Sequence, residues 1–327
     1  MWLCKNKAGE SFAVKQIAKK TVDNRDRGSD QSSYAAHREN AILKTLHLSL
    51  DKATKSMVIG VRDYIEDSND IWIVFEKGGS SVSGLIFKLK GEFLNGERIY
   101  SIKKGYFLKF LFDDLNNLKI FIRKMLKFIE FLNSNGVVHC DLKPDNILIE
   151  YNATIDYKTD KSIKDNLFNK MRIIDFGSAF FVDNPEKFSS NTPEYMSPEI
   201  NDNINNFLQN LKSYPWAIDI WSLGVIILEM AVACPLWMNF KAKVVVQDKV
   251  IFKNGLFGVQ SRDGSKIYSK QVEVANNVGK ILKDSLVTDE KEIYLLTDLL
   301  SQMLDLNYRK RISPKKALEH QFLQNIK

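Results

Sequence analysis

Residues 137–149 read VVHCDLKPDNILI, and the fold turns on what this stretch is. Val137 and Val138 lead into a polar loop holding Asp141, Lys143 and Asn146, after which the chain returns to an apolar run. Just upstream, DLNNLKIFIRKMLKFIEFLNSNG (114–136) sets Leu118, Phe121, Ile122, Met125, Ile129 and Leu132 on one helical face and stops at Asn135-Gly136. A carboxylate, an ammonium and an amide therefore sit on a short loop between an amphipathic helix and a buried strand. Taken alone this stretch could be chance, and Asp141 by itself also reads as a turn or cap residue.

Working outward, IIDFGSA (173–179) lets Asp175 leave an apolar strand and meet Phe176 and Gly177, and NTPEYMSPEI (191–200) ends in Ser197-Pro198-Glu199. Near the start, SFAVKQI (11–17) puts Lys15 inside a strand-like run. A strand lysine ordinarily belongs to a solvated face, so this charge needs a partner to mean more. Glu39 lies in AAHRENAILKTLHLSL (35–50), where Ala36, Ile42, Leu43 and Leu46 form a helical stripe. GGSSVSG (78–84) is tempting as a phosphate loop, but it lacks G-x-G-x-x-G spacing and reads as a hinge or turn.

The composition bounds the rest. A chain of 327 residues, 44% hydrophobic and 27% charged, suits two lobes around a substantial core. Cys4, Cys140 and Cys234 share no metal-ligand spacing and read as free thiols of a reducing compartment. The longest apolar run, 220–234, is short for a membrane span and contains Glu229, so it reads as a buried helix. No signal-peptide pattern opens the sequence, and the setting expected is cytoplasmic, with nuclear as the alternative. The net charge of +7 comes from basic residues interleaved with acids, which argues against specific nucleic-acid binding and for solvated faces.

Strand-like runs at 11–17, 56–65 and 70–76, with one helix between the first two, predict a small sheet carrying a helix. Beyond 84 the character reads as helical, with short strand pairs around NILIEY (146–151) and KMRIID (170–175). Between those pairs, residues 152–169 look like an exposed insertion. Residues 241–283 read as a polar variable region, followed by a helix at 292–304 and a last helix capped by Ser313 with Pro314 in its first turn.

In order and spacing, these segments resemble the eukaryotic protein kinase superfamily, serine/threonine type, over nearly the whole chain. The resemblance implies an α+β, bilobal kinase-like fold. Residues 1–77 would form the N-lobe, a small antiparallel sheet plus helix with its first strand missing, and 78–327 a mainly helical C-lobe. It implies a phosphotransferase acting on protein substrates with ATP and Mg²⁺. Lys15 matches the lysine on the ATP phosphates and Glu39 its helix partner; Asp141 matches the catalytic-loop aspartate and Lys143 its neighbour at the transferring phosphate. Asn146 and Asp175 match the metal ligands. Ala13 and Leu148 match the plates around adenine, with Phe75 as gatekeeper and Glu76 and Gly78 on the hinge. Leu43, Val61, His139 and Phe176 match the spine joining the lobes, Asp219 the anchor of the catalytic loop, and Glu199 with Arg311 a buried ion pair. Thr192 and the DLKPDN spelling point to serine/threonine acceptors, and Asp145 stands where an acid often faces basic substrates.

The departures carry expectations of their own. Cys140 replaces the arginine that commonly binds loop phosphate, and Phe188 stands near the usual phosphothreonine, with Ser189 and Ser190 beside it. The activation segment is thus expected to order by packing. HCDLKP, VFE and IDFGSA resemble the dual-specificity tyrosine-regulated kinase branch, but no Tyr-x-Tyr element appears in 180–195. The glycine-rich phosphate cover would end just before Met1, which leaves a catalytically impaired scaffold or binding module as the alternative function. Residues 152–169 and 240–255 read as surface loops, with a regulatory partner as the other reading.

Overall fold

The computed structural model describes residues 1–19, 31–94, 97–152, 155, 167–185, 192–202, 204–235, 242–246, 249–253, 264–286 and 288–324. Strands β1 (Trp2–Lys5) and β2 (Ser11–Ala18), helix α1 (Gln31–Leu48), and strands β3 (Val61–Glu66) and β4 (Asp70–Glu76) build the small lobe. Its sheet has the order β1-β2-β4-β3 and every pairing is antiparallel. β4 explains itself: Ile71, Ile73 and Phe75 alternate inward with period two and are buried. On α1 the stripe Ala36, Ile42, Leu43 and Leu46 is buried as expected, and it lays the helix on the sheet.

The large lobe is mainly helical, and it departs from expectation in two places. After β5 (Ser80–Ser81) and a turn of helix at Val82–Ile86, strands β6 (Phe87–Leu94) and β7 (Glu97–Lys104) form a hairpin before helix resumes at Tyr106–Asp113. α2 (Leu115–Ser134) then buries its predicted face. Asp114 caps its start by accepting from the Asn116 amide, and Gly136, at φ +66°, ends it in the left-handed conformation. The catalytic-loop stretch lies between β8 (Val137–Val138) and β9 (Ile147–Ile149). β10 (Arg172–Ile173) pairs with β9, and β11 (Phe180–Phe181) with β8.

The apolar run is the core helix α3 (Ala217–Val232), buried along its whole length. Among the described residues no single helix is long and apolar enough to cross a membrane. The region read as polar and variable contains regular structure. β12 (Ala242–Val246) and β13 (Lys249–Lys253) form a second hairpin, followed by α4 (Gly264–Ser285). β12 pairs in parallel with β7, Tyr100 beside Ala242, so the two hairpins make one sheet of order β13-β12-β7-β6. α5 (Glu290–Met303) and the Ser313-capped turn at Pro314–Leu318 close the lobe. Residues 153–154, 156–166 and 186–191, which include most of the expected insertion and Phe188, Ser189 and Ser190, lie outside the described residues.

Candidate active site

The loop predicted to carry chemistry hangs from the core. Asp219 on α3 is fully buried, and its two carboxylate oxygens accept the backbone N–H groups of His139 and Cys140, each at 2.9 Å. Burial pushes the Asp219 carboxyl up, and those N–H groups with His139 offset part of the shift. The anchor matters because Cys140 sits at φ +64°, a conformation costing a side-chain-bearing residue about 1–3 kcal/mol. His139 in turn packs against Phe176, the rings tilted by 55° with centroids 4.8 Å apart. Leu43 and Phe176 share one core, with Val61 packed at its edge.

The anchored loop presents Asp141 with its two oxygens in different states. Oδ2 accepts from Lys143 Nζ at 2.7 Å and from Asn146 Nδ2 at 3.4 Å. Oδ1 is buried and has no hydrogen-bond partner among the described residues. Lys143 also donates to Thr192 Oγ1 at 2.7 Å, tying the catalytic loop to the segment beyond 191. That segment is held in turn: the Tyr195 hydroxyl donates to Glu229 at 2.6 Å, Ser222 donates to the Tyr195 carbonyl at 2.9 Å, and Gln271 donates to the Met196 carbonyl at 2.6 Å. Burial, with the Glu229 carboxylate beside it, pushes the Tyr195 hydroxyl well up and keeps it a donor.

Across the cleft, Lys15 has the partners its strand position demanded. Its Nζ lies 2.8 Å from Glu39 and 2.9 Å from Asp175. Burial alone would lower the ammonium, but the charges of Glu39 and Asp175 outweigh it and raise it. For Asp175 burial pushes up while Lys15 pulls down harder, so the carboxyl stays below its usual range. For Glu39 burial wins, and the carboxyl is raised despite Lys15. Arg38, which sequence reasoning passed over although it adjoins Glu39, donates to the Gly177 carbonyl at 2.8 Å. The helix is thereby fastened directly to the strand-end loop that carries Asp175.

Ala13, Phe75, Glu76, Gly78 and Leu148 line the same cleft as Lys15, Glu39 and Asp175. Gly78 lies close under Leu148: a Cβ on it would stand 2.3 Å from Leu148 Cδ1, so that side-chain end would have to turn aside. The Glu76 carboxylate turns away and accepts the Gly60 N–H at 3.1 Å, which leaves its backbone to the cleft. Met1 also lines the cavity, which encloses about 50 Å³ and is far narrower than the ~300–1,000 Å³ of typical ligand pockets. A wider groove of about 800 Å³ lies behind α1 and β3, away from Asp141 and Lys15. Glu199 meets Arg311 deep in the large lobe, bidentate at 2.7 and 3.0 Å, and serves structure. Of the residues singled out in the sequence, Lys15, Glu39, Ala13, Glu76, Gly78, Leu148 and Asp175 line the cleft, Asp141, Lys143 and Asn146 lie on the loop, and Thr192 faces that loop from the segment beyond 191.

The chain matches the family described as Protein kinase domain over residues 2–323. It is 26% identical to Dual specificity protein kinase lkh1 of Schizosaccharomyces pombe, across 87% of this chain and 40% of that protein. With Dual specificity protein kinase CLK1 of Mus musculus it shares 24% identity across 96% of this chain and 61% of that one. Dual specificity tyrosine-phosphorylation-regulated kinase 2 of Drosophila melanogaster is 25% identical across 68% of this chain and 29% of its own. The chain thus spans about 29–61% of the length of these relatives. The family match over nearly the whole chain carries one conclusion: the chain belongs to the protein kinase domain family.

Proposed function

We propose that the chain is a protein kinase that transfers the γ-phosphate of ATP to serine and threonine hydroxyls of protein substrates. The observation that carries this reading is Asp141, held against Lys143 and Asn146 on the catalytic loop and tied through Lys143 to Thr192. A substrate hydroxyl donating to the Asp141 carboxylate would be oriented for attack and would lose its proton there, help worth ~10²–10⁴-fold. Lys143 stands against Asp141 and keeps a positive charge beside the group being moved. Lys15, fixed by two carboxylates, supplies a cation for the nucleotide phosphates.

The donor set suits Mg²⁺. Asp175 is held ionised, and Asn146 commits its Nδ2 to the Asp141 carbonyl at 2.8 Å, which leaves its amide oxygen. Among the described residues no group of three or more His, Cys, Asp or Glu side chains that could hold a metal ion exists. Asp175 and Asn146 would hold the ion, which would neutralise charge on the phosphate oxygens. Serine/threonine choice is supported by the Lys143–Thr192 contact, and the relatives' names include dual specificity.

The narrow cleft favours a second reading, a kinase-fold binding module that takes up nucleotide poorly. One experiment separates the two: magnesium-dependent transfer from labelled ATP by the wild type and by Asp141→Asn, with a nucleotide thermal shift alongside. Transfer that falls ~10²–10⁴-fold in the variant supports the enzyme. Equal background from both, with no shift, overturns it.

A further inference from the structure

The β6–β7 hairpin is a graft that leaves and re-enters a helix at one point. Helix turns lie on either side of it, and the Gly105 N–H donates to the Ile86 carbonyl at 2.8 Å. A Cβ at residue 105 would stand 1.9 Å from the Leu85 carbonyl oxygen, so only glycine lets the ends meet. A lone hairpin is marginal in water, and β12 and β13 extend this one to four strands. Charge sets the sheet apart. Its strands, of eight, eight, five and five residues, hold seven lysines and Arg98 against Glu92 and Glu97. That net +6 compares with +7 for all 327 residues.

The register crowds this charge onto one face. Lys88 stands directly opposite Lys103, and Lys90, Ser101 and Lys243 make the next row of the same face. Like charges directly opposite one another weaken a ladder, and an anion laid across them relieves it. At the foot of the hairpin Lys88 and Lys109 both approach the Tyr106 ring, at 5.7 and 5.9 Å from its centroid. Phe87 and Leu89, on the opposite face, turn to the side of the catalytic loop. The face of Lys88, Lys90 and Lys103 therefore looks outward, and all three are exposed. At the outer end of β6, Phe93 is 78% exposed, a large ring left in water with Arg98 opposite it in the ladder. Glu92 and Glu97 also belong to that end.

We propose that the inserted hairpin docks the protein on an anionic lipid surface, with Phe93 at the acyl boundary and Lys88, Lys90 and Lys103 among the headgroups. Charge complementarity names an anion, and the kind of cation narrows it. Recognition of a single phosphorylated side chain favours the planar, bidentate guanidinium, whereas lysine is a point charge on a flexible stem and suits a diffuse anionic surface. The exposed ring supplies the apolar anchor that a bilayer takes up and a purely charged partner does not. Lys90 and Lys88 lie three and five residues back from Phe93, ~10 and ~17 Å along the strand. A hairpin lying obliquely brings their ammoniums to the headgroup layer while the ring reaches below it. None of this depends on phosphotransfer.

The test titrates the full chain with vesicles of phosphatidylcholine, alone or with about 30% phosphatidylserine, and reads binding by sedimentation. The anionic vesicles should bind at least about 100-fold more tightly, and most of that gain should vanish between about 50 and 300 mM NaCl. A lysine near such a surface is worth about fivefold, so Lys88→Gln/Lys90→Gln/Lys103→Gln should lose about 100-fold and the arginine triple at the same positions almost nothing. Lys5→Gln/Lys7→Gln/Lys291→Gln removes as much charge elsewhere and should lose less than about threefold. Phe93→Ser should weaken binding about tenfold. Equal affinity for both vesicles, equal loss in the two glutamine triples, or full affinity in Phe93→Ser each overturns the proposal. Tight binding to single-stranded RNA or polyglutamate, with none to vesicles, assigns the face to another polyanion and overturns it as well.

Discussion

Replacing Lys15 with methionine isolates what the cation between the lobes contributes. The substitution keeps length and apolar stem but removes the charge 2.8 Å from Glu39 and 2.9 Å from Asp175. The two carboxylates do not suffer equally. The Asp175 side chain is 40% exposed, so water screens its loss, whereas the Glu39 side chain is 2% exposed and has no such relief. Breaking a buried pair from one side costs about 3–5 kcal/mol, and here Glu39 carries most of it. The penalty depends on pH with a definite sign. Burial already raises the Glu39 carboxyl, and without Lys15 it rises further above its unfolded value of ~4.3. A raised acid leaves stability intact below the unfolded value and loses it as pH climbs through the folded one. Thermal unfolding of Lys15→Met should therefore show a small cost near pH 5 and the full cost near pH 8, on the order of 10 °C in Tm. The Lys15→Met/Glu39→Gln double variant should recover more than half of the pH 8 loss. A cost equal at both pH values, unrelieved by Glu39→Gln, would refute the reasoning.

The other predictions follow from burial and close approach. Arg311→Leu strands Glu199 and the carbonyls of Ala217 and Asp305, so calorimetry should register a loss of about 3–5 kcal/mol; less than about 1 kcal/mol would deny the pair its structural role. Gly105→Ala forces a Cβ onto the Leu85 carbonyl, a backbone atom that cannot turn aside, and should cost roughly 1–3 kcal/mol. Hydrogen exchange should rise across 82–113, and unchanged protection there would contradict the graft. In the folded chain iodoacetamide at pH 8 should modify exposed Cys4 and spare buried Cys140, whose thiol is pushed well up by burial and by Asp219. Mass mapping that finds Cys140 alkylated as fast as Cys4 would contradict its burial.

What the chain discloses before folding depends on how local the cause is. Asp141, Lys143 and Asn146 were legible together because one short loop between two apolar elements carries them. Lys15 announced itself through a misfit, a charge in a strand, and its partners Glu39 and Asp175 came from the resemblance to kinases. The Tyr195–Glu229 bond was half visible: a glutamate inside an apolar helix asks for a donor, but nothing local says which. The β6–β7 hairpin did leave a sign, Asn95-Gly96 between alternating runs, which is the strongest short-range hairpin signal. The sequence beyond 84 nevertheless reads as helical, and the hairpin was not expected there. The pairing of β7 with β12 joins Tyr100 to Ala242, and no local pattern specifies a parallel partner so distant in the chain. The narrowness of the cleft is likewise a property of packed lobes, invisible to motif or period.

The hairpin and the chemistry can vary independently, and the anchors show why. Asp141 is held through Asp219 on α3, the activation segment's end through Glu199 and Arg311, and Lys15 through Glu39 on α1. None of these residues lies between 87 and 104. The insertion leaves the helix at Ile86 and rejoins it at Gly105 with one hydrogen bond across the join, so the flanking helix turns need not shift to admit it. Loop-closure entropy grows only as the logarithm of length, and the β12–β13 pairing adds ladder bonds in return. A segment so placed is free to change its apolar face while the reacting groups stay fixed.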